Sequence, residues 1–113
     1  MNPPADPERT PDGRYVVVGH RRWRATDPEI PGDVASRLRH HLMAGRRAVA
    51  AARRTADTEA EGRARKRVHT AKVALGERGT PWWEQSSPAR RRRWESGVRQ
   101  LDLMDQEEGG TAP

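Results

Sequence analysis

The 113 residues contain no cysteine and no phenylalanine. The first absence excludes disulfides, thiolate nucleophiles and every zinc site built on cysteine, and it leaves the redox compartment unmarked. The second belongs to a wider shortage of bulky apolar side chains. Leu, Ile and Val number five, one and eight, fewer than the roughly one fifth of a chain below which disorder competes with folding. Long apolar runs are missing too, since nothing approaches the roughly 18 residues of a membrane-spanning helix. The opening "MNPPADPERTPDG" lacks the basic-then-apolar pattern of a secretion signal. A protein that does not insert in a membrane and resides in the cytoplasm is the resulting expectation.

Catalytic patterns are equally scarce. There is no glycine-rich phosphate loop and no Ser-His-Asp arrangement that spacing supports, so neither an enzyme nor a cofactor is expected. The four histidines do not suggest a metal site. His40 and His41 are neighbours that diverge by about 100° on a helix, His20 falls in a turn, and His69 stands alone.

What the chain does have is positive charge. The formal net charge is +6, and the acids crowd toward the ends. Between Arg9 and Leu101 lie all 22 bases and ten acids, so that segment carries 22 − 10 = +12. Twenty of the bases are arginine, whose planar fork matches phosphate and carboxylate and stacks on aromatic rings. A solvated basic surface has the same composition.

Hydrophobic spacing predicts a single small α+β domain over 13–104, with a disordered arm over 1–12 and an acidic disordered tail over 105–113. "RYVVVGHRRWRA" reads as a hairpin over 14–25 with a type II′ turn at Gly19-His20. A two-residue loop sets Val18 against Arg21, Val17 against Arg22, Val16 against Trp23 and Tyr15 against Arg24. One face then holds Val16, Val18 and Trp23 and is expected to cover the core, leaving Tyr15, Val17, Arg22 and Arg24 outside. Val34, Leu38, Leu42, Gly45, Val49 and Ala52 form one helical stripe over 31–56, and Ala60, Ala64, Val68, Ala71 and Leu75 a second over 58–76. An antiparallel helical hairpin or one long bent helix satisfies both. Ser87-Pro88 starts a third helix over 88–104 with Trp94, Val98 and Leu101 inward.

The stretches "DGRYVVVGHRRWRATDPEIP", "LMAGRRAV" and "AKVALGERGTPWWE" resemble a family of short, uncharacterised bacterial proteins, some labelled Tol-like biopolymer transporters without established activity. The resemblance covers about Asp12 to Leu101. It implies no functional residue.

Two functions from different classes remain open. In the first, the protein binds polyanion, chiefly nucleic-acid phosphate, with low sequence specificity. The candidate residues are Arg90, Arg91, Arg92 and Arg93 at the start of the third helix, Arg46 and Arg47, the cluster Arg63, Arg65, Lys66 and Arg67, and Arg22 and Arg24 on the hairpin. In the second, it is a protein-interaction or structural module, with a homodimer as one form of it, using Trp82 and Trp83 and an alanine-rich helical face. Of the adjacent tryptophans one is expected inside and the other partly exposed, and Trp23 and Trp94 are expected in the core. Tyr15 opposite Arg24 is expected to make a cation–π pair.

Overall fold

Thr10-Pro11-Asp12-Gly13 is a turn sequence, with proline in the position its fixed φ suits and glycine where the chain enters left-handed space. In the computed structural model, which describes residues 8–109, it folds as that turn. The Gly13 amide donates to the Thr10 carbonyl at 2.8 Å and Gly13 has φ +74°. The turn joins β1 (Glu8–Arg9) to β2 (Tyr15–Val18), and β2 continues into β3 (Arg21–Arg24). The three strands form an antiparallel sheet in the order β1-β2-β3. Helices α1 (Gly32–Arg54), α2 (Thr58–Ala74) and α3 (Ser87–Gly109) follow, with one 3-10 turn at Trp82–Glu84 before α3. The architecture is α+β.

The sheet differs from its expected form in three ways. Residues 8–12, expected in a disordered arm, supply a third strand and its turn; residues 1–7 of that arm lie outside the described residues. The β2–β3 register is the expected one, Val18 facing Arg21 through Tyr15 facing Arg24. Gly19 and His20 both have positive φ, +56° and +67°, so the turn is type I′ and not II′. The face assignment is reversed: Val18 and Trp23 are exposed, at 51% and 44% of their surface. The sheet docks through its other face, where Tyr15 meets Trp83 edge-on at 5.5 Å and the Arg24 guanidinium donates to the Gly79 carbonyl at 2.6 Å. Alternation along a strand says which side chains share a face and is silent on which face is covered.

The chain breaks into two helices at Thr55–Asp57. Asp57 caps α2, its carboxylate accepting from the Ala60 amide at 3.0 Å. At the other end Gly76, at φ +80°, closes α2 with two bonds, from the Gly76 amide to the Val73 carbonyl and from the Glu77 amide to the Lys72 carbonyl. For α3 the cap is Ser86 and not Ser87, its hydroxyl accepting from the Ala89 amide at 3.3 Å. This helix also runs past 104 through most of the segment expected to be a disordered tail; residues 110–113 lie outside the described residues.

The core lies where the three helices meet: Ile30, Ala35, Leu38, Leu42, Ala71, Ala74, Leu75, Trp94 and Leu101, flanked by Val34, Val68, Val98 and Met104. Few of these are large, and the helices compensate by approaching closely. Gly45 faces Val68, where an added Cβ would lie 2.9 Å from Cγ2, and Gly97 faces Ala74, where an added Cβ would overlap the alanine methyl. Trp82 is buried with its indole N–H donating to the Ala25 carbonyl at 3.0 Å. Trp83 is half-buried, as expected of one of the pair.

Candidate anion-binding cleft

The four consecutive arginines point in different directions around the first turns of α3, and the outcome divides them. Arg90 and Arg93, three residues apart, both turn inward onto Asp27, whose side chain is closed to solvent. Arg90 grips that carboxylate with Nε at 2.9 Å and with Nη2, and its Nε also pairs with Glu29 at 2.9 Å. Arg93 Nη2 donates to Asp27 Oδ2 at 2.6 Å, its Nε to the Ala74 carbonyl at 3.2 Å and its Nη1 to Gln85 Oε1 at 2.8 Å. Burial pushes the Asp27 carboxyl pKa up, but the bonds from Arg90, Arg93 and the Glu29 amide outweigh it and hold the group below its ordinary value. Arg90 is correspondingly raised by its bond to Asp27. These two arginines hold the fold together and are closed to a ligand. Arg91 and Arg92 are exposed along a separate groove with Pro31, Val34 and Trp94.

Arg67 is likewise interior. It pairs with Asp105, and its Nη2 lies 3.0 Å from His41 Nδ1. A guanidinium can only donate, so Nδ1 accepts and His41 carries its proton on Nε2, which donates to Asp102 Oδ1 at 3.2 Å. Arg37 closes the network on the same Asp102. Asp102, and Asp105 from the segment expected to be a tail, thus fasten α3 to α1 and α2. Arg65 is paired with Glu61 at 2.8 Å, while Arg47, Arg63 and Lys66 are exposed. Arg22 lies 4.7 Å over the Tyr15 ring, taking the place expected of Arg24, which lies instead over Trp83 at 5.8 Å.

A wider concavity than the groove beside Arg91 lies elsewhere. Because the sheet docks by its Tyr15 face, the Val16, Val18 and Trp23 face stands away from the helices and bounds a cleft of about 690 Å³. Arg9, Arg39, Arg46 and Lys72 line it, together with Arg24, whose guanidinium is committed to the Gly79 carbonyl and the Trp83 ring; among the described residues Glu77 is the one carboxylate in its wall. Glu77 accepts from the Thr26 hydroxyl at 2.7 Å, and Thr26 in turn accepts from Arg39 at 3.4 Å. Among the described residues none of Arg9, Arg39, Arg46 and Lys72 is in an ion pair. Lys72 is half-buried, and burial, then Arg78 and Arg46, lower its pKa from the ordinary lysine value.

The chain matches no family model, no curated protein and no solved structure. The cleft is therefore read on its own chemistry. Of the residues singled out in the sequence, it contains Arg24 and Arg46. Arg9 and Arg39 were not singled out, because they belong to different elements and only the fold brings them together with Lys72. The one sequence signal pointing to Arg9 is the Pro-Asp-Gly turn that folds it back onto the sheet. For the interaction reading, Trp82 is unavailable at the surface. Among the described residues no helix is long and apolar enough to cross a membrane.

Proposed function

We propose that the protein is a non-enzymatic, cytoplasmic polyanion-binding module that takes nucleic-acid phosphate in the cleft between the sheet and the α1–α2 pair. One observation carries the reading: four cations, Arg9, Arg39, Arg46 and Lys72, line the cleft, and among the described residues its wall holds a single carboxylate, already engaged by Thr26. Six arginines elsewhere are answered by the chain's own acids: Arg90 and Arg93 by Asp27, Arg53 and Arg65 by Glu61, Arg37 by Asp102 and Arg67 by Asp105. A cation with no carboxylate beside it in a concave wall raises the local concentration of anions and favours their entry. Phosphate contacts of this kind fix position and carry little sequence information, so discrimination among sequences is expected to be weak. Exposed Arg47, Arg63 and Lys66 extend the positive field on the helical side.

The test is a titration of a labelled oligonucleotide across a salt series. Each neutralised phosphate releases counterions, so three or four contacts give a slope of log affinity on log salt of roughly −2 to −3 for a single strand. Replacing Arg39 and Arg46 by Gln is expected to lower the affinity and flatten the slope by roughly one to two. Absence of binding at about 50 mM salt, or an affinity that ignores salt up to about 200 mM, removes the proposal.

A further inference from the structure

Resting on that reading of the cleft, we infer that its occupant is a single-stranded stretch of nucleic acid, with one base stacked on Trp23 and adjoining phosphates on Arg39, Arg46 and Lys72.

The cleft is not charge alone. Its sheet wall is Val16, Val18 and Trp23, an apolar strip facing the cationic helical wall. Trp23 leaves 44% of its surface open in a protein that has only four tryptophans and little else to bury. A polyphosphate or an acidic peptide would answer the cations and leave that strip in water. A nucleotide presents both features at the right scale, a flat apolar ring and an anion one sugar away, and bases of every kind stack on an indole. Size decides between strand forms. A space of about 690 Å³ is on the scale of sites that enclose small organic ligands. A double helix, whose grooves alone are about 6 and 12 Å wide, cannot enter it, whereas one or two unpaired nucleotides can.

The side chains around the ring fit the same occupant. The Arg21 guanidinium lies 4.7 Å from the Trp23 ring centroid and the Lys72 ammonium 5.9 Å. Arg21 is exposed and can shift onto a phosphate when a base takes its place on the ring. Burial, Arg78 and Arg46 act against the charge on Lys72 more strongly than Glu77 favours it, and a phosphate between Lys72 and Arg46 relieves that repulsion.

Three probes of equal length separate the possibilities by fluorescence anisotropy: an oligothymidine, the same backbone made abasic, and a blunt duplex. The oligothymidine is expected to bind roughly tenfold tighter than the abasic strand and tighter than the duplex. Trp23→Ala is expected to erase the difference between the oligothymidine and the abasic strand while leaving abasic affinity in place. Trp23→Phe, which keeps a ring and the strand's shape, is expected to retain most of it. Equal affinity for oligothymidine and abasic strand, or a duplex preferred over both, overturns the stacking inference and leaves the polyanion reading standing. If none of the three binds at low salt, both fall together.

Discussion

Asp27 follows the last strand by three residues and has no exposed side-chain surface, yet it is ionised against two arginines and also accepts from the Glu29 amide at 2.9 Å. Its own amide donates to the Leu75 carbonyl at 2.9 Å. Removing one partner of a buried ionic cluster leaves the others desolvated without compensation. Asp27→Asn, which keeps the shape and loses the charge, is therefore expected to cost about 3–5 kcal/mol in urea unfolding. The pH dependence has a definite sign. A carboxyl held below its unfolded value contributes stability that is full above about pH 4 and is lost as pH falls through the folded value. Stability of the native protein should thus drop on acidification below about pH 4, and the Asn variant should drop less over the same interval. In sequence, Asp27 is an Asp-Pro in a linker with no periodicity around it, whereas Arg90–Arg93 is conspicuous. The conspicuous group proved to be half occupied by the inconspicuous residue.

At the level of elements, the helices and the hairpin register were legible because a core face must repeat at the period of the structure that carries it. Leu38, Leu42, Ala71, Leu75 and Leu101 lie where their spacing puts them. The limits of that logic appear at Trp23, whose partner across the strands was predictable and whose burial was not, since burial depends on how the sheet docks through Trp83 and Gly79. The close helix approaches yield a paired test. Gly62 is on an open face of α2, with nothing within 4 Å of an added Cβ, so Gly62→Ala gains helix propensity and should stabilise by up to about 1 kcal/mol. Gly97→Ala makes the same intrinsic gain but drives a methyl into Ala74 of α2. Overpacking typically costs about 1–3 kcal/mol, so this variant should melt several degrees lower while its neighbour in the comparison melts slightly higher. Thermal unfolding by circular dichroism reads both.

Across the whole molecule, the excess of cations in the cleft repels itself when nothing is bound, so added salt should act in opposite directions on the free and bound forms. Raising salt from about 50 to about 200 mM screens exposed cations from one another and is expected to raise the melting temperature of the free protein. The buried cluster at Asp27 is screened far less. The same change is expected to weaken oligonucleotide binding, so the stabilisation conferred by a bound strand should shrink as the intrinsic stability grows; melting curves with and without oligothymidine check both signs. A site of this kind was beyond the reach of sequence patterns. Its residues come from three strands, two helices and the loops beside them, and no spacing along the chain links Arg9 to Arg39 or Trp23 to Lys72.

The anchoring carboxylate also sets an order of events. Its two arginines come 63 and 66 positions later in the chain, so a polypeptide emerging from its amino end exposes the acid long before either guanidinium has been made. The strands and the α1–α2 pair are made before either arginine. Their attachment through Asp27 must wait for the beginning of α3, so the fold closes only after that segment has been made.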